Sequence, residues 1–194
     1  SGGIYTHDSE INISKSVISN NKSKYNGGGI IVSVNASVTL NQSTLVGNEA
    51  VYQGNWEAGV YGGGAIFMAS NSELNMENSI VWNNTPESIV TCDVSQGICD
   101  NSDNIIINLT YSDIEYGWGG EGNISENPQF NEDYTLQFIS PCIDTGDPES
   151  ELDPDGTTAD MGAYYFHQTF QPGDTTLDGN INVSDIILLV EGIV

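Results

Sequence analysis

The sequence predicts an all-β chain of short stacked strands, on three observations. A glycine cluster followed by apolar residues recurs at Gly2-Gly3-Ile4-Tyr5, Gly27-Gly28-Gly29-Ile30-Ile31 and Gly62-Gly63-Gly64-Ala65-Ile66-Phe67. Each cluster leads into a second shared stretch, Ile11 to Ile18, Val38 to Leu45 and Leu74 to Val81, in which apolar and polar residues alternate. Three residues beyond the last apolar position of each stretch stand Asn21, Asn48 and Asn84. Self-similarity at a period of about twenty to fifty residues marks a repeat architecture, in which each unit buries its apolar face against the next.

Each copy reads as strand in turn. Ile11 and Ile13, Val38 and Leu40, and Leu74 and Met76 alternate with polar residues, so one face points inward and the other to water. A fourth copy lacks the glycine cluster and runs Ile107-Asn108-Leu109-Thr110-Tyr111-Ser112-Asp113-Ile114, with Gly117 at the asparagine position. Aligned first positions are 27, 36 and 33 residues apart. Strands therefore hold register while loops vary, with insertions at Val51 to Tyr61 and Pro86 to Asp103. Glycine-rich corners allow positive φ and tight bends. Asparagines recurring at one corner can stack their amides into a ladder along the axis. In these residues the chain resembles the right-handed parallel β-helix of the pectin-lyase-like superfamily, which implies a solenoid over residues 1–126.

Residues 127–170 change character. Asn127-Pro128-Gln129-Phe130, Asp133-Tyr134-Thr135-Leu136, Ser140-Pro141-Cys142-Ile143-Asp144 and Asp160-Met161-Gly162-Ala163-Tyr164-Tyr165 follow in order. This run resembles the closing segment of secreted bacterial β-helix proteins, with Tyr165 where those proteins carry an acidic residue. The resemblance implies a cap, with Met161, Ala163 and Tyr165 covering the open C-terminal end of the stack, as a repeat array requires.

Residues 171–194 carry the most specific chemistry. After the linker Gln171-Pro172-Gly173, oxygen-bearing side chains fall at Asp174, Thr176, Asp178, Asn182 and Asp185, with Gly179 at the sixth position and Asn180 offering its backbone carbonyl. That is the spacing of a loop wrapping Ca2+, which takes about six to eight oxygen ligands. The apolar run Ile186-Ile187-Leu188-Leu189-Val190 then reads as a helix. A bland alternative is an acidic turn in which Asp174 or Asp178 caps that helix. The segment resembles one half of a type I dockerin repeat, with Thr176 in place of the usual Asp or Asn. The resemblance implies a small calcium loop–helix module and a cohesin-like partner met through Val183 and Ser184.

Lys and Arg total 3 against 27 Asp and Glu, a formal charge of −24. Such a field repels nucleic acid and anionic membranes and attracts divalent cations. No apolar run is long enough to span a bilayer, so membrane insertion is not expected. Cys92 and Cys99 share one polar loop and either close a short disulfide, which fits a secreted, extracellular chain, or stay as thiols. Cys142 reads as a small buried apolar residue. The chain starts within a repeat and reads as a processed piece of a longer secreted protein.

A second acidic series, Asp144, Asp147, Glu149, Glu151, Asp153, Asp155 and Asp160, is either a solvated loop or a further cation site. Catalysis is the less favoured reading. The only cations are Lys15, Lys22 and Lys24, Asp113 and Glu115 are isolated hydrolase candidates, and His7 and His167 stand alone. Trp56, Tyr61, Trp82 and Trp118 are either a sugar-stacking platform or loop anchors. The residues favour a calcium-binding structural or adhesive protein of the cell surface or matrix. It would self-associate end to end into a homopolymer through the unpaired first repeat. A polysaccharide-binding or polysaccharide-degrading protein anchored through a dockerin is the alternative.

Overall fold

A computed structural model describes residues 2–51, 62–91, 104–168 and 183–184. Among them the chain is all-β, and every pairing between its strands is parallel. Four strands come from the first copy: β1 (Ile4–Thr6), β2 (Glu10–Ser14), β3 (Val17–Ser19) and β4 (Lys22–Ser23). The second copy supplies β5 (Ile30–Val32), β6 (Ser37–Asn41), β7 (Thr44–Val46) and β8 (Glu49–Ala50). From the third come β9 (Ile66–Met68), β10 (Glu73–Glu77) and β11 (Ile80–Trp82), and the fourth opens with β12 (Ile89–Thr91), which pairs with β9. The last two are β13 (Ile106–Thr110) and β14 (Asp113–Ile114).

Each sheet takes one strand per repeat. The orders are β1-β5-β9-β12, β2-β6-β10-β13 and β3-β7-β11-β14, with β4 beside β8. Ile11, Val38, Leu74 and Ile107 stand in one row, as the repeat alignment predicts. Their alternation is physical: in β6 and β10 every second residue is buried. Val38, Leu40, Leu74, Met76, Leu45, Val81, Ile30 and Ile66 meet in one interior cluster. A fully buried side chain of this size is worth about 1.5–3 kcal/mol relative to exposure.

The corners meet the expectation in part, since Gly27 and Gly63 take positive φ within their clusters. Positive φ falls mainly on side-chain-bearing residues at fixed places: Asp8, Asn35 and Asn71; Lys15, Gln42, Asn78 and Tyr111; Asn20, Asn83 and Tyr116, with Gly47 in the same series. Asparagine tolerates the left-handed region because its short polar side chain bonds locally. The glycine clusters serve chiefly for close approach. A Cβ on Gly2, Gly28 or Gly64 would lie 2.4–2.7 Å from the backbone of Lys22, Glu49 or Thr85 respectively.

Residues 127–168 pack along the flank of the β3-β7-β11-β14 sheet. Met161, Cys142 and Leu136 are buried against the outward side chain of Ile80 in a second cluster. The Ala163 N–H donates to Thr44 Oγ1 at 3.0 Å, and Asn20 Nδ2 donates to the Tyr134 hydroxyl at 2.6 Å. The segment thus reaches from the last repeat to the first. The end-covering edge expected of Met161, Ala163 and Tyr165 takes another form here: the first two face the flank, and Tyr165 is 41 % exposed.

Candidate functional site

Two side-chain ladders run across the repeats. Asn21 Nδ2 donates to Asn48 Oδ1 and Asn48 Nδ2 to Asn84 Oδ1, both at 3.0 Å. The same amides donate to backbone: Asn48 to the Ile18 carbonyl at 2.8 Å, Asn84 to that of Leu45 at 2.9 Å. The expected asparagine ladder therefore exists and spans three copies. A serine ladder was missed. The backbone N–H of Ser16, Ser43 and Ser79 each donates to the hydroxyl of the serine in the next copy, ending at Ser112. Each of those hydroxyls donates in turn to the carbonyl two residues back. The signal was present, since serine occupies the same place in all four copies. Buried polar groups must be paired, and these ladders pair them without water.

The edge of the stack formed by β1, β2, β3 and β4 carries three isoleucines at positions that its neighbour in the stack buries fully. Ile4, Ile11 and Ile13 are half-buried, whereas their register partners Ile30, Val38 and Leu40 are at most 1 % exposed. Strand edges of this kind offer unpaired backbone groups to a further strand.

The second acidic series lies mainly on the flank, and its buried members are committed to backbone. Asp160 accepts the N–H of Asp144 at 2.7 Å and of Phe166 at 2.6 Å; Asp153 accepts that of Asp160 at 2.8 Å. Burial pushes the Asp160 carboxyl up to about 7, with Asp153 and Asp144 adding to the rise against those two N–H donors. Asp155 behaves oppositely. Burial raises it, but the Gln168 N–H and the hydroxyl and N–H of Thr157 outweigh that and hold it low. Burial also raises Glu77, reinforced by its neighbour Asp147. Among the described residues no three His, Cys, Asp or Glu side chains converge as a metal site.

Asp113 occupies the row of Val17, Thr44 and Ile80, buried beneath the flank segment. It accepts the Glu126 N–H at 3.1 Å and the Cys142 thiol at 3.3 Å. Burial lifts the Asp113 carboxyl to about 6 despite those donors, and burial with the adjacent Asp113 drives the thiol far above its ordinary value. Cys142 is indeed buried, but it ties the flank to the sheet by its polar S–H. Glu115, the other hydrolase candidate, accepts the Asn83 N–H at 2.7 Å.

The cations are engaged locally. Lys22 pairs with Glu49 at 2.6 Å, Lys24 lies over the Tyr25 ring, and Lys15 lines a cavity of about 30 Å³ with Asp153 and Asp160. His7 pairs with Asp8 at 3.2 Å, and His167 stands 3.8 Å from Asp155. Trp82 packs into the flank cluster, an anchor, whereas Trp118 is 37 % exposed.

The calcium-loop residues Asp174, Thr176, Asp178, Asn180, Asn182 and Asp185 lie outside the described residues, as do Cys92, Cys99, Trp56, Tyr61 and the run 186–190. Val183 and Ser184 are helical, with Val183 69 % exposed. Among the described residues no helix is long and apolar enough to cross a membrane. No family model, curated protein or solved structure matches this chain.

Proposed function

We propose that this chain is a secreted, calcium-binding structural or adhesive protein of the cell surface or extracellular matrix. In this reading it is a right-handed parallel β-helix that ends in a dockerin-like calcium loop and helix. The supporting observation is the in-register pairing of successive sequence copies in three parallel sheets, threaded by the asparagine and serine ladders. An aliphatic interior and side-chain bonds repeating along one axis are the construction of a stiff rod.

Calcium fits by donor chemistry. Asp174, Thr176, Asp178, Asn180, Asn182 and Asp185 offer only oxygens, the ligands that a hard cation takes. A charge of −24 also gives divalent cations a stabilising role through reduced self-repulsion. Ile4, Ile11 and Ile13, only partly buried on the first copy, favour a further layer, supplied either by other polypeptide or by a second copy. The second case is a head-to-tail contact, which propagates into a filament when it does not close. A cohesin-like surface protein meeting the exposed Val183 and its neighbour Ser184 is the other partner in this reading.

The test is calorimetric titration of the whole chain with CaCl2, with electron microscopy in calcium and in chelator. Expected are saturable binding that is lost in Asp174→Ala/Asp178→Ala, and rods that lengthen in calcium. No binding at millimolar calcium overturns the metal assignment; identical short particles in both buffers overturn the filament. Polysaccharide recognition is favoured by a separate observation at the fourth repeat.

A further inference from the structure

The asparagine ladder stops at Asn84, and the place it vacates is a cleft. Register aligns Ile4, Ile30, Ile66 and Ile89, so the residues before them, Gly3, Gly29, Ala65 and Ser88, form one row. A Cβ on Gly3 or Gly29 would point at the amide of Asn21 or Asn48 from 3.3 Å. Ser88 therefore points at the position of a fourth amide, where the repeat has Gly117 instead. Its hydroxyl is buried, with Ser88 only 6 % exposed, and has no hydrogen-bond partner. A buried orphan of this kind calls for a group that the chain itself does not supply.

The space in front of it has a volume of about 170 Å³ and is lined by Glu87, Ser88, Ile114, Glu115, Tyr116 and Trp118, together with Gly117. Tyr116 takes φ 70° at the corner where earlier copies place Asn20, Gly47 and Asn83. An aromatic residue is uncommon in that conformation, and it replaces the asparagine or glycine of the earlier copies. The Tyr116 side chain is 82 % exposed, and Trp118, 37 % exposed, lines the same space. Asn123 Nδ2 donates to the Trp118 carbonyl at 3.3 Å and fixes that wall. The Asn83 N–H orients Glu115 from behind.

The geometry points to a binding site for a neutral sugar ring of a glycan, seated between the Tyr116 and Trp118 rings with a hydroxyl directed at Ser88. Aromatic rings with one apolar face and a few polar groups at the rim suit a ligand that has both an apolar ring face and hydroxyls. Glu87 and Glu115 accept from hydroxyls and repel carboxylates, so uronate sugars are excluded. A quaternary ammonium would also suit two rings and two carboxylates, but its methyl-covered cationic centre offers Ser88 neither a donor nor an acceptor. None of these residues belongs to the calcium loop or to the first copy.

Saturation-transfer NMR on the whole chain tests this, with hexaoses of glucose, xylose, mannose, galactose and N-acetylglucosamine, and with hexagalacturonate and choline as comparators. Transfer to at least one neutral hexaose and none to hexagalacturonate is expected. Trp118→Ala should weaken that binding at least tenfold and Ser88→Ala at least threefold. Tyr116→Asn keeps a residue suited to the corner, as at Asn20 and Asn83, so it should fold at least as well as the parent while losing at least tenfold in affinity. The proposal fails if no neutral hexaose binds, if choline or hexagalacturonate binds instead, or if these three variants bind like the parent.

Discussion

Replacing Asn48 by alanine tests the ladder where it is most enclosed. Asn48 is fully buried, and its side chain makes four hydrogen bonds. Nδ2 donates to the Ile18 carbonyl and to Asn84 Oδ1, while Oδ1 accepts the backbone and side-chain N–H groups of Asn21. Truncation strips the Asn21 backbone N–H of its acceptor and removes one donor from the Ile18 carbonyl. Asn84 Oδ1 keeps the Asn48 backbone N–H, so its loss is partial. Leaving a buried group unpaired costs about 1–3 kcal/mol, and the small void adds to this, so a loss of about 2–4 kcal/mol follows. Asn21→Ala is the control. It removes one amide-to-amide bond at the half-buried end of the ladder and leaves the Asn21 backbone N–H on Asn48, for a loss of about 0.5–1.5 kcal/mol. Urea unfolding followed by far-UV circular dichroism reads both, with stability taken from the midpoint at constant slope. An Asn48→Ala loss below about 1 kcal/mol, or one no larger than that of Asn21→Ala, refutes the view that the ladder stabilises the stack.

Two further outcomes follow from buried groups. Burial raises the Asp113 and Asp160 carboxyls to about 6 and 7, above the range of an unfolded chain, so between about pH 4 and 6 the native state keeps two protons that the unfolded state has released. Their contribution is fully present below about pH 4 and is lost as pH rises through 6 and 7, roughly 2–4 kcal/mol in total after allowing for partial solvation. Urea titrations from pH 4 to 8 in chelator should show that fall, flattened in Asp160→Asn; stability rising with pH across this window contradicts it. Gly28→Ala places a Cβ 2.5 Å from the Glu49 N and Gly64 O backbone atoms, which cannot swing aside. It should cost about 2–3 kcal/mol in the same assay, against no significant change for Gly119→Ala, whose Cβ meets nothing within 4 Å.

The register of the sheets was legible because alternation has a period of two and glycine clusters and asparagines mark the same phase in successive copies. Leu74 opposite Val38 and Ile107 needed no structure to foresee. The corners were less legible. Positive φ at Lys15, Gln42, Asn78 and Tyr111 is imposed by the paired strands on both sides, and no common residue type announces it. The flank was hidden for another reason. Thr44, Ile80 and Asp113 look outward by alternation, and only a distant segment containing Cys142 and Met161 buries them. At the candidate cleft, Trp118 was visible as an aromatic residue and Gly117 as a break in the asparagine series. The role of Ser88 emerged only once strand pairing set it in the row of Gly3 and Gly29.

The two ladders also give the molecule a direction. Amide-to-amide donation runs from Asn21 to Asn48 to Asn84, and N–H-to-hydroxyl donation runs from Ser16 through Ser43 and Ser79 to Ser112, always toward the later copy. A layer laid against the first copy continues both series only if it brings donors, so it must run in the same sense. Two first copies meeting face to face would set acceptor against acceptor. Any neighbour at that surface, whether more of the same polypeptide or another molecule, is therefore selected for polarity before a single apolar contact is counted.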